Sequence, residues 1–206
     1  MLIFVVSIMS LTHRYMRQAV FVIAVLFVIA CSPPAPTFKA TDISGVDWGS
    51  GNFELTAHTG KPAKATDFQG KVVIMFFGFT HCPDVCPPTM AKLAVLMKRL
   101  GDDAQRVQVL FVTVDPENDT VKQLAGFVPQ FYPSFIGLTG SDKEIAAVAS
   151  EYKVAYGKNP KNSTLVDHST GILVKDAKGK LRLLVKNDVP VEDLEHDVRA
   201  LLKEKN

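Results

Sequence analysis

The chain has 206 residues, 47% of them hydrophobic, and its formal net charge at pH 7 is only +2. This length is enough for one good-sized domain with a substantial core. Arg14 and Arg17 lie in the first 30 residues, which contain no acid, and without them 21 basic residues balance 21 acidic ones. A neutral domain without a basic stripe argues against nucleic acid as a partner.

Residues 1–30 are predicted to be an export signal of the lipoprotein type. Arg14 and Arg17 precede an apolar run at residues 19–30, which is too short to span a bilayer comfortably. Small and aliphatic residues end this run directly before Cys31, a pattern that resembles the bacterial lipobox, in which the cysteine carries the lipid. The domain is therefore expected to be exported and membrane-anchored on the periplasmic or extracytoplasmic face.

Three points about this segment stay open. An uncleaved membrane anchor that ends by chance at Cys31 is the alternative to a lipoprotein signal, and retention in the inner or the outer membrane is undecided. Translation starts at Met1 or at Met16, because Met16 followed by Arg17 gives a conventional signal. Residues 31–44, which include a proline-rich stretch, are expected to be a lipid-anchored linker, and residues 45–206 a single domain.

The hydrophobic pattern of the domain predicts strands that alternate with helices. Strands are expected at residues 53–57, 71–79, 107–114, 135–138, 172–175 and 181–185, the last two joined as a hairpin. Helices are expected at residues 87–100, after a cap at Asn118 or Asp119, after the capping box of Ser141 and Glu144, and at residues 191–202. Residues 157–163 are predicted to be a loop. This order describes an α/β protein with a mixed sheet covered on both faces.

Cys82 and Cys86 follow a predicted buried strand, at the point where a helix begins. A thiol there lies near the positive end of the helix dipole and near unpaired N–H groups, which favour its thiolate form. On a helix, four-residue spacing places two side chains on one face. Such a pair binds a soft metal or closes into a strained, reducible disulfide, whereas its loop is too small for a useful structural disulfide.

Two sulfurs leave most metals underligated, so a metal site needs a further ligand. His168 is the best candidate, because it immediately precedes the strand at 172–175, and in a thioredoxin-like sheet that loop faces the start of the active-site helix. Four other residues near the cysteines could also be ligands but are not expected to bind the metal. His81 is expected to lie beside the ligands or on the surface, and Asp84 in the loop, while Met90 and Met97 are expected to be core residues.

Four motifs follow one another along the chain: residues 78–87 (GFTHCPDVCP), 113–120 (TVDPENDT), 137–140 (GLTG) and 166–169 (VDHS). Together they resemble the Sco (SenC) family of copper-binding assembly factors for cytochrome c oxidase, from about Gly51 to the final helix. The resemblance implies a thioredoxin-like fold, a membrane tether and copper bound through Cys82, Cys86 and His168. The family usually has arginine where this chain has Asn118, a departure expected to weaken a surface contact with a partner.

The ligand chemistry agrees with this resemblance. Two thiolates and an imidazole form a soft set suited to three-coordinate Cu(I), and they also hold Cu(II) if water or a carboxylate joins them. A closed zinc site would need a fourth ligand, and the sequence supplies no convincing one.

The leading interpretation is therefore a copper chaperone, not an enzyme, that delivers copper to the binuclear site of a respiratory oxidase. Its implied partners are the copper-site subunit of that oxidase and other periplasmic copper carriers. The alternative is a thiol-disulfide oxidoreductase, in which Cys82 and Cys86 are the redox pair that keeps the subunit's cysteines reduced. The CxxxC spacing, in place of the CxxC of thioredoxin-type reductases, favours metal binding.

Overall fold

The computed structural model describes residues 36–48, 51–159 and 162–204, without the side chains of Asn159 and residues 162–165. The residues from Thr37 onward form one compact unit. The predicted export signal and Cys31 lie outside the described residues. Within these ranges, no helix has the length and apolar character needed to cross a membrane.

In the described residues, ten strands form two sheets. They are β1 (Thr41–Asp42), β2 (Glu54–Ala57), β3 (Pro62–Lys64), β4 (Val72–Gly78), β5 (Val107–Thr113), β6 (Ile136–Thr139), β7 (Tyr156–Asn159), β8 (Asn162–His168), β9 (Ile172–Lys175) and β10 (Leu181–Val185). Eight of them make one sheet in the order β1-β10-β9-β4-β5-β6-β2-β3, and β7 pairs with β8 separately. The central strands β4, β5 and β6 are parallel, whereas β9 runs antiparallel to β4, so the large sheet is mixed.

Four α-helices of the described part of the chain cover this sheet. They are α1 (Cys86–Leu100), α2 (Val121–Phe127), α3 (Asp142–Glu151) and α4 (Val191–Lys203). Apolar side chains of α1, α2 and α4 pack in one core cluster, and those of α3 pack in a second cluster on the opposite face. The predicted class, a thioredoxin-like α/β fold with a mixed sheet and helices on both faces, is confirmed.

Strand β4 supplies side chains to both clusters, because alternate residues of a strand point to opposite faces. Ile74 and Phe76 pack against α1 and α4, whereas Met75 and Phe77 pack on the α3 side. Every residue of β4 is buried. A strand covered on both faces needs apolar residues at successive positions, and this explains the continuous apolar run in the sequence.

The helix caps agree with the sequence in one case and differ in another. Ser141 caps α3 and forms the predicted capping box with Glu144. The predicted cap of α2 at Asn118 or Asp119 is wrong, because the side chain of Thr120 accepts the hydrogen bond from the Gln123 N–H. Asp119 is turned inward instead, where buried hydroxyl and N–H donors bind its carboxylate.

The loop predicted at residues 157–163 is also wrong, because β7 and β8 form an antiparallel hairpin there. Most residues of this hairpin are polar, and they pair through backbone hydrogen bonds, which require no apolar periodicity in the sequence. The short edge strands β1 and β3 were not predicted either. The predicted hairpin at the end of the sheet is confirmed as β9 and β10.

The segment before β1 is bound to α4. The buried carboxylate of Asp197 accepts hydrogen bonds from the N–H groups of Lys39 and Ala40, both at 2.8 Å. The ring of Phe38 lies under the guanidinium of Arg182, 5.6 Å away. This part of the predicted linker therefore lies against the domain.

Candidate metal centre

The two cysteines lie where β4 leads into α1. The helix begins at Cys86, with Val85 at the N-cap and proline in the first turn. Proline is tolerated there because the N–H groups of the first turn have no partner within the helix. Cys82 lies in the turn before the helix. The expectation that both thiols lie on one helical face is therefore wrong, because the turn that precedes α1, and not helical periodicity, brings them together.

His168 ends β8, and two aromatic rings surround it. Its ring makes edge contacts with Phe76 and Phe79, with centroids 6.4 and 6.0 Å away. Its Nδ1 lies 2.9 Å from the carbonyl oxygen of Ser169. A carbonyl only accepts, so Nδ1 is the donor, and in the neutral ring Nε2 then has the lone pair that a metal requires.

The structure brings Cys82, Cys86 and His168 together. Both sulfurs and an imidazole nitrogen lie within 4.8 Å of one another, and both cysteines are free thiols. In the described parts of the chain, no fourth histidine, cysteine or carboxylate belongs to this group. The sequence predicted these three residues as ligands, although His168 is far from the two cysteines along the chain.

The thiol of Cys82 is half-buried at the start of the helix. Burial opposes its ionisation, but hydrogen bonds from the backbone of Cys86, Asp84 and Val85, together with the Cys86 thiol, outweigh burial and lower the pKa of Cys82. These are the N–H groups that a helix start leaves unpaired. Cys82 is therefore the thiol of the pair that ionises more readily.

Cys86 has the opposite environment. It is fully buried, and burial raises the pKa of its thiol well above the ordinary value. The nearby Cys82 and the charge of Asp119 raise this pKa further, while a hydrogen bond with the Phe79 backbone opposes them. The pair thus combines an accessible thiol that ionises easily with a buried thiol that keeps its proton.

Asp119 supports the cysteine loop, a role that the sequence interpretation missed. The carboxylate is fully buried and accepts hydrogen bonds from the Thr80 N–H at 3.0 Å, the Thr80 hydroxyl at 2.5 Å and the Thr113 hydroxyl at 2.7 Å. Burial raises the pKa of Asp119, although these hydrogen bonds lower it. Its only signal in the sequence is its place in the motif at residues 113–120.

The other residues considered from the sequence lie apart from the three-residue group. His81 and Asp84 are exposed and do not belong to it. Met90 and Met97 are buried in the core beneath α1, as predicted. Cys31, the predicted lipidation site, lies outside the described residues.

The donor set fits a soft metal ion. Two sulfurs and one imidazole nitrogen suit Cu(I), whereas a closed structural zinc site takes four ligands. The same two thiols can also form a disulfide, which would remove two of the three donors. The arrangement therefore allows metal binding and dithiol chemistry at one place.

The sequence matches a known family model and several known proteins. The family model described as SCO1/SenC matches residues 43–203. Protein SCO2 homolog, mitochondrial, of Mus musculus is 42% identical over 136 residues, which are 64% of this chain and 53% of that protein. The chain spans about half the length of the mitochondrial relatives that it matches.

Solved structures give the same result. Arabidopsis thaliana ScoI with copper bound has a TM-score of 0.69 and 35% identity, over 74% of this chain and 98% of that one. A SCO1/SenC family lipoprotein from Bacillus anthracis has a TM-score of 0.70 and 28% identity, over 81% and 100%. BsSco, a Sco-family cytochrome c oxidase assembly protein with a disulfide switch, has a TM-score of 0.62 and 29% identity, over 74% and 93%. The chain therefore belongs to the SCO1/SenC family.

Proposed function

We propose that this protein is a membrane-tethered copper chaperone, which delivers copper to the binuclear copper site of a respiratory cytochrome c oxidase. The observation that carries the proposal is the group of Cys82, Cys86 and His168, whose ligand atoms lie within 4.8 Å of one another. The copper-bound ScoI and the oxidase assembly protein BsSco, both similar in structure, support it.

Each ligand has a distinct role with copper as the cargo. Cys82 offers a thiolate at the accessible side, Cys86 offers a buried sulfur that gives up its proton to the solvent on binding, and His168 offers Nε2. Because both thiols lose protons, copper binding weakens as the pH falls. A three-coordinate ion also leaves room for a ligand from the receiving protein, so copper can pass on by ligand exchange.

The membrane tether is part of the same proposal. Lipid on Cys31, after removal of residues 1–30, would hold the domain outside the cytoplasm, and residues 31–44 would connect it to the membrane. The SCO1/SenC family lipoprotein of Bacillus anthracis supports this arrangement. Metabolic labelling with a fatty acid tests it: the wild-type protein is expected to incorporate label, and Cys31→Ala is not.

Metal stoichiometry tests the copper site. The reduced protein is expected to bind one copper ion, and His168→Ala to lower the affinity for Cu(I) and Cu(II) by at least about tenfold, or ~1.4 kcal/mol. His196→Ala is the matched control, because His196 lies on α4 and pairs with Asp197, outside the three-residue group. Unchanged affinity in His168→Ala would show that the three-ligand site is wrong.

The second candidate function is thiol-disulfide oxidoreduction, which the unequal thiols favour. The Cys82 thiolate would attack a disulfide of the partner, form a mixed disulfide and release one partner thiolate. Cys86, after losing its proton, would attack the sulfur of Cys82 and release the second thiolate. The partner would gain two electrons, and this chain would be left with a Cys82–Cys86 disulfide.

Two measurements separate these functions. If the protein is a copper chaperone, added copper is expected to restore oxidase assembly in a strain that lacks it. If the protein is only a reductase, added copper is not expected to restore assembly in that strain. Repeated reduction of an oxidised peptide that carries the oxidase subunit's copper-ligand cysteines, with a dithiol potential more reducing than the surroundings, would favour the oxidoreductase.

A further inference from the structure

An ion pair between Lys158 and Glu117 connects the hairpin of β7 and β8, which ends at His168, to the loop at residues 114–120, here called the anchor loop. We propose that Lys158 and Glu117 are positioning residues, which hold His168 at the distance from the two thiols that copper requires. This inference rests on the proposed copper-binding function and adds to it the contact that brings the third ligand to the site.

The anchor loop is fixed relative to Cys82. Thr80, two positions before this cysteine, donates both its N–H and its hydroxyl to the carboxylate of Asp119, at 3.0 and 2.5 Å. Within the loop, the Asp119 N–H donates to the Asp115 carbonyl at 2.8 Å, and the side-chain amide of Asn118 donates to the Asp115 carboxylate at 2.9 Å. The backbone of the glutamate between these residues therefore has a fixed place relative to the thiols.

Lys158 and His168 lie on the same face of the hairpin. Tyr156 is directly opposite His168, and Lys158 is directly opposite Val166. Opposed residues of two strands share a face, and so do residues two positions apart on one strand. The Lys158 ammonium lies 2.9 Å from the Glu117 carboxylate. The ion pair therefore holds the face that carries His168 against the anchor loop.

Packing between the hairpin and the anchor loop is incomplete. A cavity of about 180 Å³ lies there, lined by side chains of both, including Val114, Pro116, Tyr156 and Val166. Tyr156 and Val166 pack against the second core cluster but are only partly buried. Close packing fixes the spacing of two elements, whereas an open cavity leaves it adjustable. The ion pair is the polar contact that sets this spacing.

The expected effect of this ion pair is modest. The side chains of Lys158 and Glu117 are 65% and 60% exposed, and ion pairs with such exposure contribute little individually. Asp115 and Asp142 line the same cavity and also attract the Lys158 ammonium. Removal of the lysine charge is therefore a sharper test than removal of the glutamate charge, which would leave two other carboxylates nearby.

The two oxidation states of copper distinguish positioning from general damage. Two thiolates alone suit Cu(I), which takes soft sulfur ligands, whereas Cu(II) prefers nitrogen and oxygen ligands in a tetragonal arrangement. A displaced His168 therefore lowers the affinity for Cu(II) more than the affinity for Cu(I). A general loss of folded protein lowers both affinities by the same factor.

Competition titrations of the reduced full-length protein with Cu(I) and with Cu(II) test the positioning role. Lys158→Met is expected to lower the Cu(II) affinity about threefold, the size of effect that an exposed ion pair provides, and to leave the Cu(I) affinity nearly unchanged. Lys158→Arg keeps the ion pair and is expected to bind both ions like the wild-type protein. Lys64→Met is the matched control, because Lys64 forms a similarly exposed ion pair with Glu54 between β2 and β3, outside the three-residue group.

Proton NMR of the reduced protein without copper gives a readout independent of metal binding. The His168 ring makes edge contacts with the rings of Phe76 and Phe79, so the shifts of its ring protons depend on their position relative to both. Lys158→Met is expected to move these resonances, whereas Lys158→Arg and Lys64→Met are expected to leave them in place.

Each contrary result has a defined meaning. Equal losses of Cu(I) and Cu(II) affinity in Lys158→Met, wild-type affinity for both ions, the same defect in Lys158→Arg, or unmoved His168 resonances would overturn the positioning role, while copper binding by the wild-type protein stands. A wild-type protein that binds no copper overturns the proposed function and, with it, this inference.

Discussion

Gly78 lies against the sulfur of Cys86. A Cβ atom added at Gly78 would lie 2.7 Å from Cys86 Sγ and 3.0 Å from the ring of Phe111. Real Cβ atoms essentially never approach other atoms this closely, so either the sulfur or the strand would have to move. The glycine that opens the motif at residues 78–87 is therefore required by the space that the buried thiol occupies.

Gly78→Ala is therefore expected to displace Cys86 and to lower Cu(I) affinity by at least about tenfold. Overpacking of this kind typically costs ~1–3 kcal/mol of unfolding free energy. Chelator competition measures the affinity, and urea unfolding measures the stability. Gly126→Ala in α2 is the control, because no atom lies within 4 Å of its added Cβ. Equal copper affinity in the two variants would contradict the steric argument.

The two thiols are expected to react at different rates. Hydrogen bonds from the start of α1 outweigh burial and lower the pKa of Cys82, whereas burial raises the pKa of Cys86. The thiolate is the reactive form, so iodoacetamide is expected to label Cys82 first, with a rate that levels off at a lower pH than for an ordinary cysteine. Peptide mass spectrometry across neutral and alkaline pH measures both rates. Earlier labelling of Cys86 would contradict the assignment.

Lys175 is expected to make stability depend on pH. It is buried, it donates to the Gly51 carbonyl at 2.8 Å, and burial lowers its pKa although Asp176 and Glu151 raise it. The unfolded chain keeps the ordinary, higher pKa, so it binds more protons between the two pKa values. The contribution of Lys175 to the unfolding free energy therefore rises as the pH increases from the lowered pKa of the folded state to the ordinary pKa of the unfolded state.

Comparison with Lys175→Met isolates this contribution from the other titrating groups. The wild-type protein is expected to gain stability relative to the variant as the pH rises from neutral towards about 10, the range in which lysines titrate. Urea unfolding at several pH values measures the difference. Lys178→Met, at an exposed position, should give a flat difference. A flat difference for Lys175→Met as well would show that its pKa is not lowered.

Asp197→Asn is expected to release the segment before β1. The carboxylate uses one oxygen for the Lys39 N–H and the other for the Ala40 N–H. An amide keeps only one acceptor oxygen and places a donor against the second N–H, at a cost of about 1–3 kcal/mol. Hydrogen exchange at residues 39–42 should accelerate. Asp102→Asn, at an exposed position, is the control, and equal exchange in both would disprove the anchoring role.

Much of the fold follows from local patterns. The apolar runs of β4 and β5 are recognisable because a strand buried on both faces needs apolar residues throughout. The capping box of Ser141 and Glu144 and the turn between β9 and β10 are local as well. The hairpin of β7 and β8 was missed because its polar strands pair mainly with each other, and such pairing requires no hydrophobic pattern.

The candidate metal centre, too, is predictable from the sequence only in part. The residue types and motifs of the chain alone predict the sulfur pair of Cys82 and Cys86 and, as its third ligand, His168. Their separation of at most 4.8 Å, the unequal environments of the thiols and the carboxylate of Asp119 behind Thr80 emerge only once the chain is folded. Asp119 and Thr80 are 39 positions apart, and burial and hydrogen bonding between such distant segments exist only when the sheet has placed them side by side.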